Sequence, residues 1–141
     1  MPSIVVDAGP LIALFDRDDA YHAQASAFLR RVGDAHLVST SLVVGEVAAM
    51  LADIRPSLFR FLDWLSVAVE IDDALPADLP RIVEIMTKYD DLPADLADAS
   101  LVALCERRAF ATIASIDSDF DVYRLPKGRK FTNVFFADTR K

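Results

Sequence analysis

Six acidic residues in this chain stand where an acid calls for a reason. Asp7 ends the apolar run Ile4-Val5-Val6, and Glu46 lies inside Leu42-Val43-Val44-Gly45-Glu46-Val47-Ala48-Ala49-Met50-Leu51. Asp95 and Asp98 open the apolar stretch Leu96 to Leu104, and Asp117 and Asp119 follow Thr112-Ile113-Ala114-Ser115. Carboxylates brought together repel one another unless protons or a cation compensate them. A donor set of oxygens alone, with no Cys or His, selects a hard cation, Mg²⁺ or Mn²⁺. Such a cation polarises a phosphoryl oxygen, generates a hydroxide nucleophile and, in pairs, clamps the entering and leaving oxygens. The chemistry to expect is metal-assisted attack on a phosphoryl group.

Each acid also has a plain structural reading. Asp7 suits a helix N-cap, and Asp95 suits one too, with Asp98 three positions on in the first turn that a helix dipole favours. Asp117 and Asp119 suit an Asx-turn. Glu46 is the sharpest case, because a helix apolar nearly all round should be largely buried, and a buried carboxylate is costly unless paired or metal-bound. Its other reading is one exposed position on that helix. Gly45 gives up helix propensity, which would admit a close backbone neighbour.

These residues need elements to hold them. Ile4–Val6 reads as a short buried strand, with a helix opening at Ala8-Gly9-Pro10 and running to Phe15. A second helix is expected from about Asp19 to Val32, and a strand over His36–Val38. Ser39-Thr40-Ser41 then offers N-caps for a helix to about Asp53. Further helices are expected over Pro56–Leu65, Pro80–Lys88 and, after Pro93, Asp95–Arg107. Val67–Ile71, Phe110–Ser115 and Phe131–Phe136 complete the strands. Short apolar strands alternating with helices favour an α/β fold with a mostly parallel sheet covered on both faces. Ligands on such sheets sit at the carboxyl ends of the strands, which is where Asp7 and Asp117 fall.

The 141 residues carry 53% hydrophobic and 26% charged side chains, a globular composition that one domain over 1–141 accounts for. One cysteine, Cys105, excludes an internal disulfide framework and a cysteine-based zinc site. The N-terminus lacks the basic and long apolar segments of a signal peptide, and no apolar run is long enough to span a bilayer. The expected location is the cytoplasm, with no membrane partner. The net charge of −7 argues against non-specific nucleic-acid binding, which rests on Lys and Arg neutralising phosphates. The objection weakens where several of the acids hold cations in one site.

Val5-Val6-Asp7-Ala8-Gly9-Pro10-Leu11-Ile12-Ala13-Leu14, Glu46 in its apolar helix, Leu92-Pro93-Ala94-Asp95-Leu96-Ala97-Asp98-Ala99-Ser100-Leu101, and Ser115-Ile116-Asp117-Ser118-Asp119-Phe120 occur in that order along essentially the whole chain. Together they resemble the PIN-domain family, and more narrowly its VapC-like toxins of bacterial toxin–antitoxin modules. The resemblance implies a three-layer α/β/α sandwich and a Mg²⁺- or Mn²⁺-dependent endoribonuclease, a homodimer held inactive by a cognate antitoxin. By position, the family's acidic quartet falls on Asp7, Glu46, Asp98 and Asp117. Of these, Asp7, Asp98 and Asp117 are expected to bind metal, and Glu46 to bind metal or orient the attacking water. Asp95 and Asp119 match secondary acidic positions, and Ser115 stands where the family often has Thr. RNA as the substrate, rather than DNA, comes from the resemblance alone.

Other groups carry weaker signals. Arg124, Lys127, Arg129 and Lys130 crowd the loop after Asp119, where they would steer a phosphate backbone or form a solvated turn. Ser115 joins them as an expected RNA contact. Arg107 and Arg108 at a helix end serve the helix dipole. His22 and His36 read as structural or surface residues. Phe59, Phe61, Leu62, Trp64 and Leu65 read as core, with part of the stripe free to take an antitoxin helix. Two rival functions stand: a non-catalytic PIN-fold module that binds RNA or a partner, and a phospho-acceptor receiver domain, which needs a Lys after a late strand and leaves Glu46 unexplained.

Overall fold

Ile4, Val5 and Val6 are buried on both sides, as a β-branched run at the centre of a sheet must be. The computed structural model describes residues 2–92 and 94–136, so Met1, Pro93 and residues 137–141 lie outside the described part. The elements in chain order are β1 (Ser3–Val6), α1 (Ala8–Phe15), α2 (His22–Val32), β2 (His36–Thr40), α3 (Ser41–Met50), α4 (Arg55–Ala68), β3 (Val69–Asp72), α5 (Leu75–Lys88), α6 (Leu96–Arg108), β4 (Thr112–Ala114) and β5 (Thr132–Asn133). Every strand pairing is parallel, and the strand order is β3-β2-β1-β4-β5. The sheet is flanked by helices in an α/β/α arrangement. Among the described residues, no helix is long and apolar enough to cross a membrane.

The order reverses at β1, which pairs β2 on one edge and β4 on the other. At such a switch point the connections leave in opposite directions and open a crevice at the strands' carboxyl ends. Val6 lies opposite Ala114, so the next residues, Asp7 and Ser115, emerge side by side at its mouth. The main-chain N–H of Asp7 extends the pairing by donating to the Ala114 carbonyl at 3.0 Å.

Several boundaries differ from the sequence expectation for local reasons. α2 starts at His22, because Asp16 and Asp19 turn their carboxylates onto the N–H groups of Asp18 and Tyr21 and form turns instead. α5 starts at Leu75, with Pro76 in its first turn, and runs on through Pro80. β5 has only two residues, because Asn133 substitutes for the ladder. Its side-chain Oδ1 accepts from Ser115 N–H at 3.2 Å and its Nδ2 donates to the Ser115 carbonyl at 2.9 Å.

α3 corrects a stronger expectation. Only Val43 and Val47 are buried along it, and Met50 is 63% exposed, so the helix is not the buried element its composition suggests. Glu46 is exposed, and no atom lies within 4 Å of where a Cβ on Gly45 would sit. No close backbone neighbour explains that glycine. α4 divides its stripe: Phe61 and Leu65 enter the core, while Phe59 and Leu62 face outward. His22 and His36 are structural, bonding the Ala13 carbonyl at 2.7 Å and the Ser3 hydroxyl at 3.0 Å.

Candidate active site

Asp7 leaves β1 and caps α1. One carboxylate oxygen accepts from the Ala8 N–H at 2.8 Å, and the other accepts from the Ser115 hydroxyl at 2.9 Å. Burial pushes its carboxyl above the ordinary range, and these two bonds oppose that rise. Ser115 is itself held on both main-chain groups by Asn133 and is fully buried. This corrects the expectation that Ser115 contacts RNA: its hydroxyl is engaged beneath Asp7. Gly9 packs closely nearby: a Cβ there would come 3.3 Å from the Ile116 Cβ, which would have to shift by a few tenths of an ångström. The bare backbone lets the start of α1 close against the turn that carries Asp117.

Asp95 is the N-cap of α6, accepting from the Asp98 N–H at 2.7 Å. Asp98 is buried, and its Oδ2 accepts from the Tyr123 hydroxyl at 3.0 Å. Burial, then the charges of Asp7 and Asp95, push its carboxyl up to about 8. Tyr123 is fully buried, with ring contacts at 5.0 Å to both Tyr89 and Phe120. Burial and the neighbouring Asp98 raise its hydroxyl, so it remains a donor. The Tyr123 N–H also bonds the Asp119 carbonyl at 3.1 Å. One residue thus ties the Ser118–Asp121 turn to α6.

Asp117 caps that turn through the Asp119 N–H at 3.0 Å, the Asx arrangement its sequence allowed. Asp98, Asp117 and Asp119 each offer an oxygen within 4.8 Å of the other two. Asp119, expected in a secondary role, therefore stands inside the tightest acidic group, and Asp7 lies outside it. Burial and Asp117 raise the Asp119 carboxyl.

Asp7, Glu46, Asp95, Asp98 and Asp117 line one open cleft of about 440 Å³, together with Asp19, Tyr21 and Met50. Desolvation raises the Glu46 carboxyl, followed by the charges of Asp95 and Asp7. Glu46 reaches the cleft from an exposed helix surface, not from a buried one. Among the described residues, no Lys or Arg lines the cleft. Uncompensated, hard-oxygen donors at this spacing fit a divalent cation such as Mg²⁺ or Mn²⁺.

The basic loop lies apart from the cleft lining. Arg124 turns its guanidinium onto the carbonyls of Asp121, Val122 and Tyr123, capping the turn that holds Asp119. Lys127, Arg129 and Lys130 are exposed around a tight turn, with Lys127 at φ 65°. Arg107 and Arg108 do more than face a helix dipole: Arg107 bonds Asp72 and Asp78, and Arg108 bonds Glu70 and Asp72. Asp19, Tyr21, Tyr123 and Asn133 carried no usable sequence signal. Each is an ordinary turn or core residue until β1, β4 and α6 are placed together.

A parallel α/β sheet with acids converging at its switch point defines a class of carboxylate-based metal sites. The chain belongs to the PIN domain family, whose model matches residues 4–125. It is 29% identical over 135 residues to a Mycobacterium tuberculosis protein named Ribonuclease VapC26, covering 93% of this chain and 99% of that one. Among solved structures it resembles Mycobacterium tuberculosis VapC20, described as a sarcin-ricin loop cleaving toxin, at a TM-score of 0.75. That match covers 84% of this chain and 93% of the other at 20% identity, a likeness of fold.

Proposed function

We propose that this chain is a metal-dependent endoribonuclease, the toxin of a toxin–antitoxin pair, hydrolysing RNA phosphodiester bonds at the acidic cleft. The observation that carries the reading is the grouping of Asp98, Asp117 and Asp119 within 4.8 Å. It occurs in a chain 29% identical to a protein named a ribonuclease.

In this reading Asp98, Asp117 and Asp119 hold Mg²⁺ or Mn²⁺. Bound there, the cation would supply Lewis-acid polarisation of the scissile phosphoryl group. Asp7, fixed by Ala8 and Ser115, adds negative charge to the same site. Asp95 caps α6 and thereby aims Asp98. Glu46 orients the attacking water, and its raised carboxyl suits proton transfer nearer neutral pH. Lys127, Arg129 and Lys130 are free to guide the strand from outside the cleft. The reading also implies a cognate antitoxin as partner, a homodimer, and a cytoplasmic location.

The rivals fare less well. A receiver domain has strand order 2-1-3-4-5, whereas this sheet runs β3-β2-β1-β4-β5. A binding module without turnover would not need carboxylates massed without cations. The test is cleavage of a mixed RNA pool with Mg²⁺, with Mn²⁺ and with EDTA, beside Asp98→Asn. Metal-dependent cutting lost in the variant supports the enzyme. A folded, antitoxin-free protein that cuts none of the pool favours the binding module.

A further inference from the structure

The acidic cleft also has apolar lining that the carboxylates do not explain. Tyr21 and Met50 both border it, at 36% and 63% exposure. Tyr21 is anchored: its N–H donates to Asp19 Oδ1 at 2.8 Å, and its ring packs T-shaped against Phe136 at 6.1 Å. A ring held in place loses little freedom when a ligand settles on it.

The charge pattern narrows what that ring is for. Phosphate contacts by Lys and Arg are the usual source of nucleic-acid affinity. Among the described residues, none of these side chains lines the cleft. A polyanionic strand entering it gains nothing there from protein cations. Tyr21 is the one aromatic side chain among the described residues of that lining, and a base can stack on an aromatic face whatever the sequence.

We propose that Tyr21, with Met50, forms a subsite for one unpaired nucleobase of the substrate strand, next to the carboxylate group. The inference rests on the nuclease reading for the presence of that strand. It deepens that reading by naming the residues that would select an unpaired base beside the cut, since bases inside a duplex present no free face.

The test compares wild type, Tyr21→Phe, Tyr21→Ala and Met50→Ala on one labelled RNA oligonucleotide, single-stranded and annealed to its complement. Cleavage is followed with Mn²⁺, and binding by fluorescence anisotropy with Ca²⁺ in its place. The expected result is a loss of about 5- to 150-fold in binding and in kcat/KM for Tyr21→Ala, through KM, with Tyr21→Phe near wild type and the duplex spared. Equal binding and cleavage by Tyr21→Ala, or equal cutting of duplex and single strand, overturns the subsite while leaving a nuclease. Tyr21-dependent binding without any cutting upholds the subsite and removes the nuclease. No binding of either RNA by folded wild type overturns the subsite.

Discussion

The Ser115 hydroxyl donates to the Asp7 carboxylate at 2.9 Å, joining the carboxyl ends of two neighbouring parallel strands inside the protein. The bond makes one of the acids dependent on the strand that also carries Asp117. Ser115→Ala should therefore lower stability by ~1–3 kcal/mol, the usual consequence of removing a partner from a buried polar group. It should lower RNA cleavage as well. Chemical denaturation and single-turnover kinetics measure the two effects. Unchanged cleavage with lowered stability would restrict Ser115 to the fold.

Asp98→Asn should abolish cleavage while raising the Tm of the metal-free protein at neutral pH by ~3 °C or more, because the folded state no longer has to hold on Asp98 a proton that the unfolded chain releases. The amide oxygen can still accept from Tyr123. Scanning calorimetry in EDTA decides the matter, and a fall in Tm would mean that the carboxylate is a structural requirement.

The pH dependence of the metal-free protein follows from the same crowding. The Asp98 carboxyl stands at about 8 in the folded protein against 3.8 for the free side chain, so the folded state holds a proton that the unfolded state gives up. Asp7 and Glu46 shift in the same direction. Stability should fall as pH rises from about 5 to about 8 and level off above that. The opposite trend belongs to the acid side, where Glu70, held low by Arg108, loses its partner on protonation. Melting curves in EDTA across this range, with Asp98→Asn as the flattened control, are the measurement.

Tyr123→Phe keeps the buried ring and removes the hydroxyl that meets Asp98. Mn²⁺ affinity should fall about tenfold, equivalent to ~1.4 kcal/mol, with a smaller change in metal-free Tm. Titration calorimetry with Mn²⁺ reads the effect without RNA. An unaltered affinity would show that packing alone holds Asp98.

Arg107→Ala breaks contacts to Asp72 and Asp78, none of these three residues being part of the cleft lining. Both ion pairs are partly exposed, so a loss of ~1 kcal/mol or less is expected, with cleavage unchanged. A large loss of activity would place this network in the catalytic machinery.

Much of the fold was legible because strand and helix periods differ and the apolar runs are short and separate. The convergence of Asp7, Asp95, Asp98 and Asp117 was legible too, since strand ends and a helix start are where a parallel sheet gathers its side chains. Glu46 lines the cleft as its sequence suggested, but for another reason: it sits on an exposed surface rather than in a buried helix. The closeness of Asp119 to Asp98 was not legible, because two acids one residue apart look the same in any turn. Tyr123 and Asn133 were hidden, because their partners are 25 and 18 residues away in the chain. Contacts of that kind have no period, and only the packed fold creates them.

The pairing of β1 with β4 has a consequence for biosynthesis. Asp7 leaves the ribosome 108 residues ahead of its neighbour Ser115. No nascent fragment ending before Thr112 contains the pairing that brings them together. The cleft is thus assembled only after β4 has been made and has paired with β1. A chain still lacking β4 is without the Asp7–Ser115 bond, whatever else of it has folded.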